Sequence, residues 1–214
     1  MKRILIITVL IAAFGSTALA SNYEETMSKN IQKMYTLTSS SELVNLANQF
    51  QRIASVEKKE WLPRYYAAYC FITSTLFDEM SEDEKHQKLD MAQKEMDVLK
   101  GQAPDESEVY VLQAFLYQLR ITDLSKGMKF SSLTNEALAV AEKLDSGNPR
   151  ICYLRGTNIY YTPKMFGGGA EKAKPLFEKA AKMFETFQPG NPLYPSWGKQ
   201  HNTQMLEMYN QGNE

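Results

Sequence analysis

The chain has 214 residues, with 24 Lys+Arg against 25 Asp+Glu, a formal net charge of −1, two Cys and two His. Setting aside residues 1–20, which hold Lys2, Arg3 and no acid, leaves 22 Lys+Arg against 25 Asp+Glu, a charge of −3. Such a balance argues against a nucleic-acid binder, which carries a basic patch, and against a polybasic membrane anchor. Two cysteines are too few for a disulfide framework.

The first residues read MKRILIITVLIAAFGSTALASN, with Lys2 and Arg3 ahead of an apolar run from Ile4 to Phe14 and Ala18-Leu19-Ala20 as a small-x-small site. That order predicts a signal peptide cleaved after Ala20, and hence export to a periplasm or the medium. The apolar run is short for a membrane span and no Cys follows it, so no stable membrane anchor is expected after cleavage. The remaining residues, 21–214, are of single-domain size.

A polar segment with Tyr23, Met27, Ile31 and Met34 at helical spacing predicts a first, capping helix. Ser39 with Glu42 has capping-box spacing and opens a helix to about Lys58, with Leu43, Leu46, Ala47, Phe50, Ile53 and Ala54 on its apolar face. Trp61-Leu62-Pro63 opens another, running to about Leu76. Ser81 and Glu84 cap a helix that runs to Lys100, where Gly101 and Pro104 stop it. Asp105 with Glu108 is read as the cap of the next, which carries Tyr110, Ala114, Tyr117 and Ile121. Gly127 is read as a break before a helix from about Ser132 to Leu144. Asn148-Pro149 caps and starts a helix to Tyr161, and Ala170 to Ala181 spaces Ala173, Phe177 and Ala180 on one face. Prolines 189, 192 and 195 precede a last helix assigned Trp197, Met205, Leu206 and Tyr209. Period-two alternation is missing, so the fold class is all-α.

Gly156 followed by Ala173, Phe177 and Ala180 resembles the small-residue slot and A-x3-F-x2-A pattern of the tetratricopeptide repeat (TPR). Tyr110, Ala114 and Tyr117 with Ala137 and Ala141 form a second such unit. Ala67 with Ala92, Met96, Leu99 and Pro104 form a looser third. The spacings inside the units, 17 residues from Gly156 to Ala173 and 25 from Ala67 to Ala92, are longer than the repeat's pattern. With its NPR…YYTPKMFGGG stretch, the whole also looks like small exported bacterial TPR-like proteins. The resemblance implies a short right-handed α-solenoid of about three TPR-like hairpins with flanking capping helices. In such an array Cys70 and Cys152 lie on hairpins too far apart to bridge, and two buried free thiols are expected.

In the repeat frame, Arg64, Phe115, Gln118, Tyr153, Thr157 and Tyr160 face the concave groove where partner peptides lie, with Tyr161 beside them. Tyrosine suits a recognition surface, though an aromatic at helical spacing is more often core. The loop at 162–169, with Phe166, Gly167, Gly168 and Gly169, leads into a helix N-terminus that would favour an anion. The Gly-Lys-Ser/Thr of a phosphate loop is missing, since Ala170-Glu171-Lys172 follows, and a flexible turn is the simpler reading. His86 and His201 sit in charged and polar runs without partners at metal-ligand spacing, so no metal or cofactor is expected. No nucleophile motif occurs, and no enzyme is expected. These residues point to an exported, non-enzymatic binding or scaffold protein that holds a peptide or a protein of the cell envelope in its groove. The alternative is a small-ligand receptor with a pocket near the 162–169 loop.

Overall fold

The computed structural model describes residues 22–211. The predicted signal peptide lies outside the described residues. By its own contacts the chain divides into two compact units, Met1–Leu37 and Thr38–Glu214. The described part of the first is one helix, α1, at residues 22–34, followed by a turn in which the Leu37 N–H donates to the Met34 carbonyl.

The described part of the second unit holds eight α-helices. They are α2 (Ser40–Val56), α3 (Leu62–Thr73), α4 (Glu82–Gln102), α5 (Ser107–Leu119), α6 (Leu124–Leu144), α7 (Pro149–Tyr161), α8 (Ala170–Thr186) and α9 (Lys199–Asn210). The described residues contain no strand, and the fold is all-α. None of their helices is long and apolar enough to cross a membrane.

Local sequence explains most helix starts. The Ser39 side chain accepts the Glu42 N–H. At Ser81 the capping box is complete, with Glu84 reaching back to the Ser81 N–H at 2.9 Å. Asn148 accepts the Arg150 N–H, and Pro149 sits at the first helical position, where a missing N–H costs nothing.

Three expectations change. Asp105 does not cap α5: Glu106 holds the cap position without a side-chain bond, and Glu108 turns inward to a buried arginine. Gly127 does not break α6, because Asp123 accepts the Ser125 and Lys126 N–H groups and starts the helix ahead of it. One glycine costs a helix only about 1 kcal/mol, which a cap offsets. Trp197 precedes α9 rather than lying in it.

Helix α3 packs on α2 and α4, α5 on α6, α7 on α8, and α8 on α9. Helices α3, α5 and α7 also touch in succession, forming one row. The closest approach is between α7 and α8. A Cβ on Gly156 would stand 2.7 Å from the Phe177 ring, so only glycine lets that fully buried ring lie against the α7 backbone. Burial of one such phenylalanine is worth about 1.5–3 kcal/mol. Ala173 and Ala180 flank it, fully buried. Between α5 and α6 the small residues carry polar ties, with Ser107 Oγ donating to the Ala141 carbonyl at 3.0 Å. Cys70 and Cys152 are buried free thiols, and burial pushes the Cys70 thiol well above its ordinary pKa.

Candidate functional site

The segment after α8, residues 187–198, bonds to α3 and α7 and carries Trp197 against Phe115 of α5, just before Gly198. Four backbone and side-chain anchors hold it. The Tyr66 hydroxyl donates to the Leu193 carbonyl at 2.7 Å, and Arg150 donates to the Pro195 carbonyl at 2.9 Å and to that of Trp197 at 3.3 Å. The Trp197 indole N–H donates to the Tyr65 hydroxyl at 2.8 Å.

Arg150 is the hub beneath this strap. It is 1% exposed, and a charge placed there needs a partner. Glu108 on α5 supplies it. Arg150 Nη2 is 2.6 Å from Oε1, and Nε is 3.0 Å from both carboxylate oxygens. Asn148 Nδ2 also donates to Glu108 at 2.6 Å, and the guanidinium faces the Trp197 ring at 5.7 Å. The Tyr65 phenol, fully buried and next to the Glu108 carboxylate, has its pKa raised by desolvation first and by that negative charge second.

Above the hub lies an aromatic face. Trp197 stacks on Phe115 at 5.3 Å, tilts on Tyr69 at 5.4 Å and meets Tyr153 edge-on at 6.3 Å. Tyr69 and Phe115 are half-buried while Trp197 and Tyr153 are buried, so the face is anchored at one edge and reaches solvent at the other. Gly198, at φ +97°, makes the turn into α9; a side chain there would press on Phe184, Arg150 and Tyr153. That turn brings His201 against Tyr153. Its Nδ1 lies 2.9 Å from the Tyr153 hydroxyl, with the rings edge-to-face at 5.7 Å. Burial raises the Tyr153 pKa and keeps the phenol protonated. His201 is exposed, in keeping with its polar surroundings in sequence, and its Nδ1 is tied to a buried tyrosine.

The other residues singled out in the sequence are spread over the row and the surface. Arg64 pairs with Glu95 at 2.9 Å, which also accepts from Gln51. Gln118 donates to the Leu154 carbonyl at 2.7 Å, and the Thr157 hydroxyl lies 3.0 Å from Gln118 Oε1, tying α5 to α7. Tyr160 packs against Tyr161, Phe177 and Tyr209. Tyr161 and Phe166 are exposed.

The glycine loop is built rather than slack. Gly167 and Gly169 have φ of +87° and +111°, and a Cβ on Gly168 would collide with the Thr162 carbonyl. Its N–H groups donate inward, from Gly167 to Lys164, Gly168 to Pro163 and Gly169 to Ile159. The three glycine amides are thus taken by carbonyls of the loop and of α7. Phe115 and Tyr153 were identified from the sequence. Tyr69, Trp197 and His201 were not placed in a site, because their meeting depends on a strap with no periodicity of its own.

No protein-family model matches the chain, and no curated protein does. Among solved structures, the chain is similar to the HusA haemophore from Porphyromonas gingivalis, with a TM-score of 0.78 and 27% sequence identity, covering 90% of this chain and 94% of that one.

Proposed function

We propose that this protein is an exported, non-catalytic carrier of a flat, largely apolar macrocycle of the haem class, held on the aromatic face around Trp197. The observation that carries the reading is the likeness to a haemophore over nearly the full length of both chains. The site chemistry supports it. Tyr69 and Phe115 offer half-buried rings backed by the buried Trp197 and Tyr153, and an apolar ring system gains by covering such surface. Export rests on the predicted signal peptide.

The peptide reading has a specific support of its own. The succession α3–α5–α7 fits a short TPR-like solenoid, in which a row of first helices receives an extended chain. Here the protein's own segment Leu193–Trp197 already lies along that row, which favours a compact ligand beside the strap over a peptide along it.

The test is a fluorescence titration. The chain has two tryptophans, and a Trp61→Phe variant leaves Trp197 as the reporter. Ferric protoporphyrin IX should quench it saturably, and Phe115→Ala should weaken the binding with helicity unchanged. Quenching that rises linearly without saturation, alike in both proteins, would remove the haem-class reading. Saturable quenching by an extended envelope peptide instead would favour the peptide.

A further inference from the structure

The connections α3–α4, α5–α6 and α7–α8 lie along one edge of the second unit, at the end of the row where α3, α5 and α7 finish. Side-chain bonds fix their order. Glu82, at the start of α4, accepts from Thr122 at 2.7 Å and pairs with Lys126, which joins the first connection to the second. Asn158, near the end of α7, donates to the Ser131 carbonyl of α6 at 3.3 Å, which joins the second to the third.

This edge is apolar where water favours polar groups. Among the described residues, five large apolar side chains are exposed by 70% or more, and four of them stand here. Leu124 and Met128 are at the second connection, Tyr161 and Met165 at the third. Leu76 and Phe77 at the first connection are exposed as well. Single exposed apolar side chains are ordinary on a protein surface, whereas a cluster of them marks an interaction site. The hydrogen-bonded glycine loop also holds Met165 in a fixed place.

Charge changes sign along the edge. Residues 78–88 hold five acids against two lysines, a net of −3 with His86 neutral. Residues 164–174 hold Lys164, Lys172 and Lys174 against Glu171, a net of +2. Lys174 lies over the ring of Tyr209, whose hydroxyl donates to the Ala170 carbonyl, so its charge stays by the start of α8. Between the two ends, Leu124 and Met128 flank Gly127, on which a Cβ would meet nothing within 4 Å. The middle of the edge is open.

An acidic end, an apolar centre and a basic end make a self-complementary order. A half-turn about an axis through the centre sets each acidic end of one copy against the basic end of another. Leu124 and Met128 of both copies then meet at the axis, as an apolar centre within a charged rim. An anionic lipid surface would instead repel the acidic end. We propose that this edge joins two copies of the chain into a two-fold symmetric dimer. The inference stands apart from the haem-class reading.

The experiment is sedimentation velocity on the chain purified after export, without porphyrin, from about 1 μM to about 1 mM. A dimer should form as concentration rises and should weaken in about 1 M salt. Met128→Asp puts a charge at the axis in both copies and should weaken pairing by about tenfold or more. Two charge reversals test the symmetry. Glu79→Lys with Asp83→Lys makes both ends basic, and Lys164→Glu with Lys174→Glu makes both acidic. Each reversed protein alone should be monomeric, with helicity by circular dichroism unchanged. An equal mixture of the two should dimerise, because every end then meets its opposite. A chain that stays monomeric over the whole range overturns the proposal, as does undiminished pairing in Met128→Asp. Folded reversed proteins that stay apart when mixed overturn the two-fold arrangement. A monomer that floats with phosphatidylglycerol vesicles, and loses them in Met128→Asp, overturns it in favour of a lipid surface.

Discussion

Two ionic clusters tie helices of this protein together, and they do so in opposite surroundings. In one, Arg150 and Glu108 are 1% and 6% exposed at their side chains, with Asn148, Tyr65 and the carbonyls of Pro195 and Trp197 completing their hydrogen bonds. In the other, Lys126 meets Glu82 and Asp123 beside His86 and Thr122, with exposures of 32% to 50% among the charged partners. Both join a cation to carboxylate. Water is what differs. The exposed cluster exchanges its bonds with solvent at little cost, whereas the buried one is sustained only by mutual pairing. The buried pair therefore fixes where the strap and its tryptophan go, and the surface cluster links the start of α4 to the start of α6 through exposed groups.

The strongest way to break this comparison is to remove one buried partner. Glu108→Ala leaves the Arg150 charge enclosed without its carboxylate and should cost about 3–5 kcal/mol in urea unfolding. A loss under about 1 kcal/mol would show that the hub is not a closed network. Trp197→Phe keeps most of the aromatic contact but drops the indole N–H bond to Tyr65, and should cost about 1–3 kcal/mol by the same measurement. The smallest effect belongs to the surface. Hydrogen bonds from Lys126, then Thr122 and His86, hold the Glu82 carboxyl at a pKa of about 2 against the usual 4.5. Its contribution is therefore present above pH 4.5 and lost as pH falls through about 2. Glu82→Gln should lower the melting temperature only slightly at pH 7 and low salt, and the difference should vanish toward about pH 2 or in about 1 M salt. A difference that grew on acidification would mean that the ionised Glu82 carboxylate opposes folding instead of supporting it.

The features written in local chemistry were legible in the sequence. Ser39, Ser81 and Asn148 each satisfy an N–H two or three residues away, so spacing alone locates them. Gly156 and Phe177 were readable too, because small and large residues at repeat spacing state their own packing, and the structure puts the ring against the glycine. The site was harder. Glu108 has the spacing of a cap residue after Asp105, yet its true partner lies 42 residues on, and no local rule ranks a distant arginine above a nearby amide. Trp197 resembled one more helical apolar residue, since the turn at Gly198 that excludes it from α9 takes a positive φ at a crowded spot, where a side chain would press on Phe184, Arg150 and Tyr153. His201 sits among polar neighbours in sequence and beside a buried phenol in space.

Tyr65 and Tyr66 bond to Trp197 and Leu193 across 132 and 127 residues. A row of helices that touched only its neighbours could fray from either end independently. Here a segment from after α8 is bonded to α3, far earlier in the chain. The row is thereby closed by bonds between α3 and the strap. Such long closures slow the final step of folding. They also couple the two ends, so that damage near residue 197 is felt at α3.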